Sequence, residues 1–427
     1  MIKCGVAQTD ITPYLGSDIP GQTYNRISSG VKDPLYAKAV VFDDGNKRIA
    51  SVVLDAIIIG TETVQNIREK ASKLCGIDPA AIMVSATHTH TGGPVGDLYK
   101  SKKDPAYLEF LSQRAAHAVF MADQNLRNVK IGAAYGYDDT IGFNRRYRMK
   151  DGTFRTNPPV MSPDLDRPLG PTDPQVAVVR IDDENDRPLA VLSSYACHLD
   201  VVGGTEYSAD YPGAIARTVS KVLGDSVISI FYTGTCGNIN HINFEQKKGI
   251  PSSKGRPYSD YMGRVLAYEI IKTREKIITS DQACVNYAST TLRLDTRKPD
   301  PEAVKKAYEV LKNDPEGKRF IELELVRYYE NPKEYLDAEL QVLSVGDWAI
   351  AGFPGEIFVE FGLEVKKHSP FKVTVAAELT NGSFGYIPVR EAFEQGGYEP
   401  SLTSYTCAGP ESGYRMTEAL ISLLKNL

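Results

Sequence analysis

The hydrophobic positions of this 427-residue chain fall into short runs that are rich in β-branched residues and bounded by polar or turn residues. Runs of about four to eight such residues are typical of strands that are buried on both faces. They include AKAVVFDD, RIASVVLDAIII, AIMVSA, VKIGAAYG, QVAVVRID, LAVLSSYA, SVISIFYT, LQVLSVGDWAIAG and FKVTVAAEL. We therefore predict β-structure in each of these segments.

Helical patterns lie between many of the runs. From Ala106 to Asp123, the apolar residues Leu108, Leu111 and Ala115 keep the spacing of one helix face, and the closing segment TEALISLLKNL has the same character. Strands that alternate with helices predict an α/β fold, with a mixed β-sheet core flanked by helices. The length suits one large domain or two tightly joined ones, and we expect a single catalytic domain over residues 1–427.

Two segments interrupt the alternation. Residues 299–336 are dense in lysine, glutamate and tyrosine, which predicts a helical excursion of two or three amphipathic helices on the outside of the core. The proline-rich segment FRTNPPVMSPDLDRPLGPTDP predicts a long irregular loop.

Composition and charge exclude several functions. The net charge of −5 argues against binding to nucleic acid or another polyanion. No apolar run approaches the roughly 20 residues that span a bilayer, so no transmembrane segment is expected. The first residues lack the apolar core of a signal peptide, which fits a cytoplasmic protein or a secreted one whose signal has been removed. The six cysteines are widely scattered and are interpreted mostly as reduced core thiols.

The segment VSATHTHTGG places His88 and His90 two residues apart. On a strand, both rings would point to the same side, and neutral imidazoles are common zinc ligands. The alternative is a pair of polar side chains satisfied by backbone or water. The motif alone leaves both interpretations open.

Three further segments carry candidate chemistry. His198 follows a strand-like run in SSYACHLD, and FYTGTCGNINHIN runs from a strand into a glycine-rich loop that is either an oxyanion-binding loop or a tight turn. Glu356 follows a Pro-Gly turn in FPGE, at the head of an expected helix, where it would favour the helix dipole or serve as a metal ligand. Two histidines and a carboxylate form a common catalytic zinc set.

Taken in order, the segments GVAQTDITP, ATHTHTGG, GFNRR, YACH, TCGNIN, FPGE and GYIPVREAFEQGGYE resemble the neutral/alkaline non-lysosomal ceramidase family. The resemblance covers nearly the whole chain. It implies a zinc amidohydrolase of sphingolipid metabolism that cleaves an N-acyl bond in a small-molecule substrate. Its matching positions imply zinc ligands at His88, His198, Glu356 and Tyr386, catalytic residues at His90, Arg145 and Tyr398, and a substrate-binding loop at Gly234, Thr235, Cys236 and Asn238.

Within the resemblance, His90 contacts the substrate, Arg145 is aimed at the amide or the oxyanion, and Tyr398 polarises the scissile carbonyl. Two features depart from the family: Gly234 stands where a serine is expected, and we expect no C-terminal immunoglobulin-like domain. Both predict a substrate smaller or more polar than ceramide. The oligomeric state is left open.

Three other functions remain open at this stage. The same zinc chemistry would hydrolyse an ester or a lactone, and a non-catalytic relative would bind a lipid or a sugar. Thiol chemistry would use Cys236, since Cys197 is next to His198 in sequence and would face the opposite side of a strand. Retention of all four implied metal ligands argues against the non-catalytic alternative.

Overall fold

The computed structural model describes residues 1–247, 249–314 and 318–427. The strands in chain order are β1 (Lys3–Asp10), β2 (Gly30–Val31), β3 (Tyr36–Asp43), β4 (Arg48–Leu54), β5 (Ile82–Ala86), β6 (Arg127–Tyr137), β7 (Phe143–Asn144), β8 (Arg146–Met149), β9 (Phe154–Thr156), β10 (Leu165–Pro168), β11 (Gln175–Asp183), β12 (Pro188–Tyr195), β13 (Glu206–Tyr207), β14 (Ile228–Thr233), β15 (Ile239–Asn240), β16 (Val285–Asp295), β17 (Tyr335–Val345), β18 (Trp348–Gly352), β19 (Glu356–Ile357), β20 (Val373–Ala377) and β21 (Tyr386–Ile387).

The helices in the same residues are α1 (Thr61–Cys75), α2 (Pro105–Gln124), α3 (Asp210–Leu223), α4 (Arg256–Arg274), α5 (Pro301–Lys312), α6 (Phe320–Glu330), α7 (Val359–His368), α8 (Arg390–Gln395) and α9 (Ser412–Lys425). The predicted helix over 106–123 is confirmed as α2. It begins at Pro105, where Asp104 caps it by accepting hydrogen bonds from the backbone N–H groups of Ala106 and Tyr107, with proline in the first turn.

The larger sheet has eight strands in the order β14-β12-β11-β6-β1-β3-β4-β5. Most neighbours are antiparallel, but β4 pairs with β5 and β12 pairs with β14 in parallel. This confirms a mixed sheet. Strands β4 and β5 are buried along almost their whole length, as their unbroken apolar runs predict.

The smaller sheet has four strands in the order β16-β17-β18-β20, with β18 and β20 parallel. Two isolated bridges, Ser85 to Thr380 and Gly234 to Ala377, join the ends of β5, β14 and β20. Both sheets therefore belong to one domain, and their strand ends meet. Helices flank the sheets, and none among the described residues is long and apolar enough to cross a bilayer.

Of the two interrupting segments, the first has the predicted number of helices and the second has more regular structure than predicted. The 299–336 excursion contains α5 and α6, while residues 335–336 already belong to β17; residues 315–317 lie outside the described part. The proline-rich segment was predicted to be irregular, but β9 and β10 pair with β8 on either side in a three-stranded sheet. The prolines lie mostly in the connections, where a missing N–H costs no ladder bond.

Several loops that follow strand ends reach the same region. The chain leaves β5, β12, β14 and β18 immediately before His88, His198, the glycine-rich loop and Glu356, respectively. Open α/β sheets commonly place their sites at such strand ends.

Candidate functional site

Three histidine rings converge beyond the ends of β5 and β12. The Nε2 atoms of His88 and His90 are 3.4 Å apart, and the ring centroids of His88 and His198 are 4.7 Å apart. One nitrogen from each ring lies within 4.8 Å of the others, so this group could hold a metal ion. His88 and His198 are buried, while His90 keeps some exposure.

Backbone carbonyls orient all three rings. Nδ1 of His88 lies 2.8 Å from the Ile57 carbonyl, Nδ1 of His198 lies 2.8 Å from the Cys236 carbonyl, and Nδ1 of His90 lies 2.8 Å from the Gly21 carbonyl. A carbonyl only accepts, so each neutral ring carries its proton on Nδ1 and a lone pair on Nε2. This is the usual outer support of metal-binding histidines.

Glu356 and Tyr386 complete the group from two paired strands. They are direct partners in the parallel pairing of β19 with β21. Glu356 Oε2 lies 3.3 Å from His88 Nε2 and 3.2 Å from His198 Nε2, while Tyr386 Oη lies 3.5 Å from His198 Nε2. All four side chains that the resemblance implies as metal ligands thus lie close together.

The surroundings of Glu356 Oε2 test whether a cation would fit in this group. This oxygen is buried and has no hydrogen-bond partner, although two imidazole nitrogens face it. A carboxylate oxygen and neutral Nε2 atoms all present lone pairs, and a buried polar atom without a partner is costly. A metal ion among them would satisfy the oxygen and both nitrogens, so the donor set fits.

The electrostatics of the group favour positive charge. Burial alone would lower the pKa of His88, but Glu356 beside it raises that pKa to about 8, so this ring attracts a proton that a metal ion would displace on binding to Nε2. Burial would likewise raise the pKa of Glu356, but His88 and His198 hold it well below its ordinary value. Burial and its neighbouring histidines lower the pKa of His90 to about 3, so this ring is neutral at physiological pH.

The local backbone differs from two expectations. His88 is not on a strand: β5 ends at Ala86, and His88 has a φ of 73°, in the left-handed region. The rings of His88 and His90 converge through this turn rather than through strand alternation. Glu356 lies in β19 and not at the head of a helix, because α7 begins only at Val359.

Arg145 and Tyr398 lie against Tyr386. Arg145 donates from Nε to Glu399 Oε1 at 2.8 Å and from Nη2 to the Gly237 carbonyl at 2.7 Å, and its guanidinium carbon lies 5.3 Å from the Tyr386 ring centroid. The rings of Tyr398 and Tyr386 are 5.4 Å apart and nearly perpendicular. Burial, followed by the charge of Glu356, raises the pKa of Tyr398 to about 12, so its hydroxyl stays protonated and can donate.

The glycine-rich loop lies against β19 and α7. Gly237 has no room for a side chain, since a Cβ there would lie 2.5 Å from the Glu356 carbonyl oxygen. The Asn238 amide accepts from Val359 N at 2.9 Å and donates to Glu360 Oε2 at 3.0 Å, while Thr235 packs against Gly362. A Cβ on Gly234 would come within 3.1 Å of Ala196 backbone atoms, so a serine there would be tight. The assignment of this loop to substrate binding stays a prediction.

No family model matches the sequence. The solved structure of the neutral ceramidase from Pseudomonas aeruginosa superimposes with a TM-score of 0.75 at 16% identity, covering 99% of this chain and 74% of that one. A ceramidase complexed with C2 superimposes with a TM-score of 0.74, at the same identity and coverage. The chain has the neutral ceramidase fold. The fold implied by the sequence resemblance is thereby confirmed.

Within this neutral ceramidase fold, Cys236 is placed as a structural thiol. Its Sγ donates to Glu378 Oε1 at 3.0 Å and lies 3.5 Å from His198 Nδ1. Burial and the neighbouring Glu378 raise the pKa of Cys236 well above its ordinary value. Because the thiolate is the nucleophile, this environment argues against thiol chemistry.

Alkylation tests this interpretation. We expect iodoacetamide to modify Cys284, which is exposed, well before Cys236, which is fully buried, because reaction requires access to the sulfur. Mass spectrometry of the folded protein measures the order of modification, and activity measured in parallel should survive labelling of Cys284. Loss of activity in step with Cys236 modification would restore the thiol alternative.

Several contacts in the site were not predicted from the sequence. Tyr405 donates to Glu356 Oε1 at 2.8 Å, and the hydroxyl of Tyr99 is hydrogen-bonded to that of Tyr398. Neither tyrosine lies in a recognisable motif. Asp200, close to the histidines, could have been noticed, since it lies two residues after His198 in the segment ACHLD.

Proposed function

We propose that the chain is a zinc-dependent hydrolase of an N-acyl amide. The observation that carries the proposal is the unpartnered Glu356 Oε2 between two Nε2 atoms, in a chain with the neutral ceramidase fold. Imidazole nitrogen and carboxylate oxygen are ligands that zinc accepts, and catalytic zinc sites keep one position open. His88, His198, Glu356 and Tyr386 are proposed to hold the ion.

When bound, zinc at such a site lowers the pKa of a coordinated water to about 7 and so makes hydroxide available at neutral pH. The surrounding residues have separate tasks. His90 carries a lone pair on Nε2, because Nδ1 faces the Gly21 carbonyl, so its neutral ring can accept a hydrogen bond from a donor group of the substrate. A neutral ring with its lone pair on Nε2 suits this role better than it suits hydrogen-bond donation to the oxyanion.

Tyr398 is proposed to bind the carbonyl oxygen as negative charge develops on it. When Tyr99 donates to Tyr398, the proton of Tyr398 is free to point elsewhere. Arg145 adds positive charge behind Tyr386 and is fixed there by Glu399. Fixed donors that are aimed at a developing oxyanion often supply the largest part of catalysis.

A panel of N-acyl compounds tests the proposal and the expected substrate size. The zinc-loaded protein should hydrolyse amides with short acyl chains, including acylated amino sugars, with at least ~10-fold higher kcat/KM than long-chain ceramide in detergent micelles, since pocket contacts set this ratio. An ester with the same acyl chain belongs in the panel. Hydrolysis of esters alone would contradict amide specificity, and exclusive hydrolysis of long-chain ceramide would contradict the smaller substrate.

A further inference from the structure

Tyr99 has a backbone conformation that a bulky residue rarely adopts. It lies in a tight turn in which the backbones of Leu98 and Ser101 exchange two hydrogen bonds, of 3.2 and 3.0 Å. Its φ of 56° is in the left-handed region, where two-residue turns favour glycine or asparagine. A tyrosine there is strained, so contacts outside the turn must hold it in place.

The side chain of Tyr99 explains why a strained tyrosine stands where glycine would fit better. Its hydroxyl is hydrogen-bonded to the hydroxyl of Tyr398, the proposed donor to the oxyanion. Either hydroxyl can be the donor in this pair. The proton of Tyr398 is left for the carbonyl oxygen only when Tyr99 donates.

One face of helix α6 contacts both tyrosines. Phe320, Glu324 and Arg327 are four and three residues apart in sequence and therefore lie on the same side of the helix. Arg327 donates from Nη1 to the carbonyl of Tyr99 at 3.0 Å. The ring of Phe320 lies edge-on, with its centroid 5.5 Å from that of Tyr99 and 6.2 Å from that of Tyr398.

Glu324 ties Arg327 to the segment that follows Tyr398. It is only 4% exposed, although α6 belongs to the outer helical excursion. One carboxylate oxygen accepts from Arg327, and the other accepts from the hydroxyl of Ser404, six residues after Tyr398. Glu324 and Arg327 thus connect the two segments that carry Tyr99 and Tyr398.

We propose that Arg327 is a positioning residue for the reaction. It holds the strained turn at Tyr99, and Tyr99 donates to Tyr398, so that the proton of Tyr398 points toward the carbonyl oxygen. The inference rests on the proposed N-acyl hydrolase function and gives the helical excursion a part in it. Arg327 acts only through Tyr99 and not on the substrate.

Arg327→Met tests this chain of contacts, because methionine suits a helix but donates no hydrogen bond. We expect kcat for an N-hexanoyl amide to fall at least ~5-fold with KM within about twofold, since Tyr398 loses its alignment in the transition state and not a contact that binds the substrate. Arg327→Lys, which can still donate to the Tyr99 carbonyl, should keep kcat within about threefold. Arg415→Met, at an exposed position on α9, is the matched control.

The Tyr398→Phe background separates positioning from folding. In that background, neither Arg327→Met nor Tyr99→Phe should lower kcat by more than about twofold, because the hydroxyl that they align is already absent. Independent defects would instead multiply. Zinc content and melting temperature are measured for every variant.

Unchanged kcat in Arg327→Met would overturn the inference and leave the proposed function standing. Equal losses of kcat in the wild-type and Tyr398→Phe backgrounds, or loss of zinc, would make Arg327 a structural residue and overturn it too. If Arg327→Met does not fold, Tyr99→Phe leaves α6 unchanged and decides the same comparison. Failure of the zinc-loaded wild-type protein on every N-acyl compound of the panel would overturn the proposed function and this inference with it.

Discussion

Replacement of His88 by alanine is expected to leave the protein with far less than one zinc per chain and to reduce amide hydrolysis by more than ~10²-fold. Loss of a residue that only supports a metal ligand typically costs about 10- to 100-fold, so loss of a ligand should cost more. His88 Nε2 directly faces the unpartnered Glu356 oxygen. Elemental analysis of the purified variant and its kcat/KM measure the effect. His117→Ala, at an exposed ring on α2, is the matched control.

His90→Ala separates the two members of the histidine pair. Because His90 is assigned to the substrate, this variant should keep its zinc while losing turnover. Full zinc occupancy in His88→Ala would remove His88 from the ligand set. Loss of zinc in His90→Ala would add His90 to it, which the convergence of the three rings permits geometrically.

Replacement of Tyr398 by phenylalanine should lower kcat by ~10²–10³-fold with zinc retained, which is the usual cost of removing one oxyanion donor. This change removes only the hydroxyl of Tyr398. The ring, which packs against Tyr386 at 5.4 Å, stays in place. Steady-state kinetics separates the expected fall in kcat from a change in KM.

Tyr137→Phe, which removes a hydroxyl from a side chain that is 60% exposed, is the control for Tyr398→Phe. Two results would contradict the assigned role. Release of zinc would place Tyr398 among the ligands or show that it supports them, and unchanged kcat would show that its hydroxyl does not bind the oxyanion.

The secondary structure was largely predictable because burial leaves a clear pattern in the sequence. Strands β4 and β5 are apolar over nearly their whole length, and α2 has both a helical period and an N-terminal cap. The prediction was poorest where short strands pair locally. β9 has three residues and largely exposed side chains, so no hydrophobic pattern marks it.

The site was predictable only as a set of motifs. The resemblance points to His88, His198, Glu356 and Tyr386 as a metal group, yet their proximity depends on the β19–β21 pairing and on the left-handed backbone at His88. Both arise from tertiary packing. Tyr405 reaches Glu356 across 49 positions, and its contact follows no spacing rule. The carbonyls that orient the histidine rings belong to the backbone. Any residue at those positions would supply them, so the sequence does not reveal them.

Zinc titration of the chelator-treated protein, followed by hydrolysis of an N-hexanoyl amide, tests the central claim most directly. Activity should be absent from the metal-free protein and should rise to a plateau at about one equivalent of zinc, since the proposed donor set holds one ion. Full activity in the protein shown by elemental analysis to be metal-free, or zinc binding at one equivalent without any N-acyl hydrolysis, would contradict a zinc-dependent amide hydrolase.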